Sequence, residues 1–192
     1  MKRVPADPLN GLAILLGVTG SIAVYKAADL ASRLKQRKAE VSTVMTAASR
    51  EFVRPLTFEI LTGNRVYTDM FVENRHRSPV HISLALLSAI VVVAPATANF
   101  IGKMAHGLAD DLLSCVVMAT RSPILLAPAM NAGMYENPIV RENIARLKEH
   151  GVEFIGPESG YLACGYEGLG RMSETSAIIE KIVTMISGIS RT

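Results

Sequence analysis

Leu12-Ala13-Ile14-Leu15-Leu16-Gly17-Val18, followed by Thr19-Gly20-Ser21, decides how this chain is read. An unbroken apolar run of this length marks a strand covered on both faces, because a half-exposed strand would alternate polar with apolar. The turn then enters a helix predicted from Ile22 to Lys38. Ile22, Tyr25, Ala28, Ala31 and Leu34 recur there at helical spacing, while Lys26, Asp29, Arg33, Lys35 and Arg37 lie off that stripe. A covered strand feeding an amphipathic helix is half of a βαβ unit.

The same alternation continues along the chain. Glu40 to Thr46 is rich in β-branched residues and reads as a second strand. Arg50 to Thr62 reads as helical, with Pro55 forcing a kink or two short helices and Gly63-Asn64 as the stop. Arg65 to Pro79 is polar and irregular, with a short strand near Val66. His81 to Ser88 is a short helix, and Ile90 to Ala94 is the clearest strand. Helical pattern from Asn99 to Leu113, broken at Gly102 and Gly107, leads into a helix from Asp110 to Thr120. A strand Ile124–Ala127, a helix Asn137–His150 capped by Gly151, and a strand Val152–Ile155 follow. Gly156 to Met172 holds five glycines and is expected to be a long loop; Glu174 to Ser187 closes the pattern as a helix. The expected fold is α/β: one three-layer Rossmann-like domain over residues 1–192, with a parallel sheet and helices on both faces. The N-terminus to about residue 10 is expected to be flexible, and residues 156–172 are expected to act as a flap.

Composition removes several functions. The chain has 192 residues, 49% of them hydrophobic, enough for a large core and too apolar for disorder. A net charge of +3, from 20 Lys and Arg against 17 Asp and Glu, is too mild and dispersed for nucleic acid, and sparse aromatics with no Trp give no stacking platform. Two cysteines, Cys115 and Cys164, exclude a disulfide scaffold, and the four histidines show no metal-ligand spacing. No stretch reaches the ~18 apolar residues of a membrane span. The expectation is a cytoplasmic protein with no membrane or nucleic-acid partner.

Four strand ends carry the chemistry. Gly17 and Gly20 let backbone approach an anion at the start of the first helix, and Ser21 adds a hydroxyl. An ordinary tight turn with Ser21 as its cap explains the segment equally well. The dinucleotide and P-loop glycine patterns are both missing. The second strand ends Met45-Thr46-Ala47-Ala48-Ser49, and the third Pro95-Ala96-Thr97-Ala98-Asn99, small enough to admit a flat ring. The fourth, Pro128-Ala129-Met130-Asn131-Ala132-Gly133-Met134, sets an Asn between methionines, where it could hold a carboxylate. His81 precedes a short apolar helix, and Cys164 sits among glycines that suit a lid. Taken singly, each has a plain structural explanation: capping, turn-making or core packing.

As a set, the segments resemble the flavin-containing cysteine decarboxylases, and within them the branch that acts on 4'-phosphopantothenoylcysteine in coenzyme A biosynthesis. The resemblance runs from about Leu12 to Met172. Pro95 to Asn99 is similar to the family's flavin motif, Pro128 to Met134 matches its Pro-x-Met-Asn-x-x-Met segment, and His81-Ile82 falls at its active-site His-Ile. Ala163-Cys164-Gly165 through Gly168-Leu169-Gly170-Arg171-Met172 matches its substrate flap. Two positions depart from many relatives: Tyr166 stands where an acidic residue follows Cys-Gly, and Ser88-Ala89 stands where Ala-Asp ends a helix.

The resemblance implies noncovalent FMN held by Gly20, Ser21, Ile22, Ala23, Thr46, Ala47, Ala48, Ala96, Thr97, Ala98, Asn99 and Met130. It implies catalytic roles for His81 (thiol oxidation), Asn131 (holding the carboxylate) and Cys164 (protonating the intermediate). Asn131, Met134, Ala163 and Met172 would line the site for a phosphorylated cysteine conjugate. It further implies a homo-oligomer, a trimer or a dodecamer of trimers, and a phosphopantothenoylcysteine synthetase as fused or separate partner. Three rivals share the scaffold. A peptidyl-cysteine decarboxylase has the same His and Asn. A flavin prenyltransferase lacks the Asn segment and the cysteine flap. A non-catalytic FMN-binding regulator typically carries an acidic tail and altered catalytic positions.

Overall fold

The computed structural model describes residues 7–71 and 79–189. Six parallel strands form the central sheet: β1 (Ala13–Val18), β2 (Glu40–Met45), β3 (Val66–Tyr67), β4 (Ile90–Ala96), β5 (Ile124–Pro128) and β6 (Glu153–Phe154). Their order is β3-β2-β1-β4-β5-β6, so the winding reverses between β1 and β4. Loops leaving the carboxyl ends of those two strands diverge, and the crevice between them is where open α/β sheets take ligands.

The apolar runs are covered on both sides. Ile14, Leu16 and Val18 of β1, with Ile90 and Val92 of β4, join one core with α1 (Val24–Gln36), α2 (Pro55–Thr62) and α8 (Thr175–Ile189). Leu15, Val91 and Val93 join the opposite core with α3 (Val80–Leu87), α4 (Ala98–Ala105), α5 (Leu112–Ala119) and α7 (Pro138–Glu149). A short helix α6 (Ala132–Glu136), not foreseen in the sequence, fills the turn after β5. Pro55 divides the second helical stretch as expected: a 3-10 turn Ala47–Glu51 precedes α2, which stops at the left-handed Gly63. No helix among the described residues is long and apolar enough to cross a membrane.

The structure corrects four expectations. The buried face of α1 is Val24, Ala27, Leu30, Ala31 and Leu34, whereas Ile22 and Tyr25 are 61% and 63% exposed. Lys26, read as a solvent-facing charge, is buried. Residues 156–172 are no loop: β7 (Glu158–Tyr161) and β8 (Glu167–Arg171) pair as an antiparallel hairpin. Order begins before residue 10, because Leu9 is fully buried and Asp7 is clamped by two 2.7 Å bonds from Arg37; residues 1–6 lie outside the described part, as do residues 72–78 of the polar segment before α3.

Candidate functional site

Thr19 joins the first and third strand ends. Its hydroxyl donates to the Pro95 carbonyl at 2.7 Å and accepts from the Thr97 amide at 3.1 Å. Thr19 is 2% exposed, so these bonds form out of water and hold the two loops at fixed separation. Gly20 closes the floor on the other side. A Cβ there would stand 2.5 Å from the Ala48 Cβ, so only glycine lets the first turn meet the second strand end. Gly17 works differently from the expectation. It lies within β1 and makes room for Leu113 of α5, 2.7 Å from an ideal Cβ, rather than admitting an anion.

These loops enclose a cavity of about 480 Å³ lined by Gly20, Ser21, Thr46 to Ala48, Thr97 to Asn99, Met130 and Met134. The two charged residues of the lining, Lys103 and Asp111, were not foreseen, nor was Phe100. The Lys103 ammonium lies 2.7 Å from Asp110 and 3.2 Å from Asp111. The Asp110 hydrogen bond raises the lysine's pKa, so the charge is firmly held. Only a contact map could have found them, since they come from α4 and the cap of α5. Asp111 also closes that cap: its side chain accepts from the Ser114 amide while Ser114 Oγ accepts from the Asp111 amide.

A second cavity of about 330 Å³ adjoins the first through shared Ser21, Ala129 and Met130. Its walls include Ile22, Ala23, Asn131, Ala163, Cys164 and Met172. Ile22 and Ala23, expected beside the cofactor, therefore lie on this side. Met134, expected at the substrate, lines the larger cavity. Ala96 reaches neither; it is fully buried in β4 against the core.

The hairpin roofs the smaller cavity, and two glycines explain how close it comes. A Cβ on Gly170 would overlap the Met130 carbonyl, and one on Gly168 would stand 2.8 Å from the Ala132 Cβ. The Met130 amide donates to the Gly170 carbonyl at 3.0 Å. At the tip, the Leu162 amide donates to the Tyr166 carbonyl and the Gly165 amide to the Leu162 carbonyl, closing a tight turn around Cys164. Asn131 receives this tip. Its Oδ1 accepts from the Gly133 amide at 2.8 Å, capping α6 and fixing which way the amide faces. Its Nδ2 donates to Cys164 Sγ at 3.2 Å and to the Tyr166 hydroxyl at 2.6 Å.

The far end of the hairpin is anchored through Lys26. Its ammonium donates to the Met172 carbonyl at 2.9 Å and to Glu174 at 2.7 Å. The Lys26 hydrogen bond holds the Glu174 pKa below the ordinary carboxylate value. His81 is not brought to this centre. It lies on the first turn of α3, half-buried, and lines neither cavity of the single chain.

A cleft at the switch point of a parallel sheet, with small residues along its loops and a hairpin over one side, is the arrangement of α/β proteins that take nucleotide-type cofactors. The sequence matches the Flavoprotein family over residues 3–187, and the chain belongs to that family. It is 48% identical over 172 residues to the "Coenzyme A biosynthesis bifunctional protein CoaBC" of Bacillus subtilis strain 168, a match covering 90% of this chain and 42% of that protein. The chain thus spans less than half the length of that bifunctional relative. A Streptococcus mutans protein named "Probable phosphopantothenoylcysteine decarboxylase" is 44% identical, over 88% of this chain and 96% of its own. Among solved structures, a Cys-to-Ser mutant of PPC decarboxylase complexed with pantothenoylaminoethenethiol superposes with a TM-score of 0.81 at 32% identity, covering 90% of this chain and 97% of that one.

The larger cavity fits a flavin. Ala47, Ala48, Ala98, Met130 and Met134 offer a flat apolar slot. Ser21 and Thr46 hydroxyls, the Asn99 amide and the Lys103 ammonium offer partners for polar ring edges and an anionic tail.

Proposed function

We propose that this chain catalyses the FMN-dependent decarboxylation of 4'-phosphopantothenoyl-L-cysteine to 4'-phosphopantetheine and carbon dioxide, within coenzyme A biosynthesis. The observation that carries the reading is the meeting of Asn131 with the Cys164 thiol, in a cavity that opens into the flavin-sized one. The names of the relatives support the substrate. FMN rather than a dinucleotide is supported by the single anion-compatible turn at Gly20-Ser21 and by the missing dinucleotide fingerprint.

A cysteine carboxylate has no electron sink β to the bond that breaks. Bound FMN would supply one by taking two electrons from the carbon that bears sulfur, making it a thioaldehyde, and returning them at the end. Asn131 Nδ2 donates to the carboxylate and orients the C–C bond toward that C=S group. The bond breaks, its electron pair moves into C=S, and carbon dioxide leaves an enethiolate. The Cys164 thiol, set above by the hairpin, gives its proton to the carbon that lost the carboxylate. The hairpin also keeps water from the thioaldehyde.

His81 would assist the first oxidation from a neighbouring subunit, since within one chain it stands apart from Asn131 and Cys164. Leu86 and Leu87 of the same helix are 77% and 74% exposed, an apolar patch suited to an intersubunit contact. We assign a homo-oligomer, a trimer or a dodecamer of trimers, located in the cytoplasm, with a phosphopantothenoylcysteine synthetase as fused or separate partner. The test is incubation of the flavin-loaded protein with 4'-phosphopantothenoylcysteine under mass analysis, beside a peptide ending in cysteine. Loss of carbon dioxide from the first alone supports the reading, and loss from the peptide alone overturns it.

A further inference from the structure

The established family motif accounts for Asn131 and Cys164 but leaves Tyr166 without a task, although it makes the shortest contact at the centre. Its hydroxyl lies 2.6 Å from Asn131 Nδ2. The flip of the Asn131 amide is fixed by the Gly133 amide on Oδ1, so Nδ2 is the donor and the Tyr166 oxygen the acceptor. A phenol that accepts still has its own O–H to give. Tyr166 is therefore a donor aimed at the ground Asn131 commands.

The two partners of Nδ2 are unequal. The thiol sulfur of Cys164 is a weak acceptor, whereas the phenol oxygen of Tyr166 is a good one. An arriving carboxylate takes the N–H that points at sulfur, because a charged oxygen is the stronger acceptor. That exchange frees the Cys164 thiol to face the ligand and leaves the Tyr166 bond intact. One backbone turn carries both side chains, since the Leu162 amide is bonded to the Tyr166 carbonyl across Cys164. Tyr166 thus stays within reach when the hairpin is down.

We propose that the Tyr166 hydroxyl is the second hydrogen-bond donor to the ligand carboxylate held by Asn131, and so a specificity residue of the hairpin. The proposal rests on the substrate reading above. It gives the site a pair of donors that a carboxylate satisfies and a decarboxylated thiol does not, so the hairpin discriminates substrate from product.

The experiment uses the flavin-loaded, full-length protein and its Tyr166→Phe variant, titrated with 4'-phosphopantothenoylcysteine and separately with 4'-phosphopantetheine. Removing one donor to a charged group is expected to weaken the carboxylated ligand about ten- to a hundredfold. Binding of the decarboxylated thiol should change less than about threefold, and KM should rise with kcat changed far less. An equal loss for both ligands makes the phenol a structural part of the tip and overturns the proposal, as does no loss for either. Wild-type protein that binds neither ligand removes the substrate reading itself, a result distinct from either variant outcome.

Discussion

The Lys26 ammonium and the Met172 carbonyl lie 2.9 Å apart, joining the first helix to the residue that follows the hairpin across 146 positions of sequence. The lysine side chain is only 10% exposed, so its two bonds are made in a poorly hydrated place. Replacing it with methionine keeps the stem but orphans the carbonyl. Lys26→Met should cost about 1–3 kcal/mol of stability, read as a lower urea midpoint, and should speed proteolysis within 158–171.

The second bond of Lys26, to Glu174, sets a pH dependence. Glu174, the second partner, has a folded pKa held below 4.5 by Lys26. A depressed carboxylate contributes stability that is present above its unfolded pKa and lost as pH falls through the folded one. Unfolding curves should therefore steepen in pH dependence below about pH 4.5, and Glu174→Gln should flatten that portion.

Glycine positions separate a close approach from a tolerant one. Gly170→Ala would force a Cβ onto the Met130 carbonyl. It should lift the hairpin off Asn131, cost about 1–3 kcal/mol and abolish turnover. Gly188→Ala, at the open end of α8 with nothing within 4 Å, should instead stabilise by roughly 0.5–1 kcal/mol. Thermal melts beside activity of both variants check the contrast.

Asn131 and Cys164 should fail at different stages. Asn131→Asp keeps the acceptor for the Gly133 amide but sets a negative charge against the ligand carboxylate. At ~4 Å and an effective dielectric of ~20 the repulsion is about 4 kcal/mol, near a thousandfold in binding. Cys164→Ser should still release carbon dioxide yet stall before the saturated thiol. Anaerobic flavin absorbance with mass analysis of products distinguishes the two. Normal product at full rate from Cys164→Ser would mean that the thiol is no proton donor.

Shared active sites can be counted by mixing. His81→Asn and Cys164→Ser should each fail alone to form the saturated thiol. If His81 serves a neighbour's Cys164, random hybrids restore an intact pair in about a quarter of sites. Activity of an equimolar refolded mixture is the readout; none regained would place His81 within its own chain's site.

Much of the scaffold was legible because three strands, β1, β4 and β5, are unbroken apolar runs, and the strand ends named most residues of the cleft. The helix stripe was misread for a definite reason. Ile22, Tyr25, Ala28 and Ala31 step by three throughout and so drift around a helix of 3.6 residues per turn, whereas the buried Val24, Ala27, Ala31 and Leu34 step by 3, 4 and 3 and stay on one face. Ile22 and Tyr25 are apolar because they face the smaller cavity. The hairpin was invisible because its glycines break periodicity, and two of them, Gly168 and Gly170, are there to meet Ala132 and Met130 rather than to bend the chain. Lys26 was missed because its partners, Met172 and Glu174, lie 146 and 148 positions away in sequence; Lys103 and Asp111 were missed because nothing in their own segment shows that α4 and the cap of α5 border the cavity.

The hairpin's dependence on other elements has a consequence for exchange of its amide protons. β7 and β8 pair only with each other, and the hairpin is pinned by Met130 below and Lys26 at its end. It can therefore come loose while the six-stranded sheet stays whole, a separate unit of local opening. In deuterated water the amides of residues 158–171 should exchange well ahead of those in β1 and β4, and a ligand bridging Asn131 to the tip should slow them selectively, so that occupancy of the smaller cavity is recorded in the labelling of a segment lying above it.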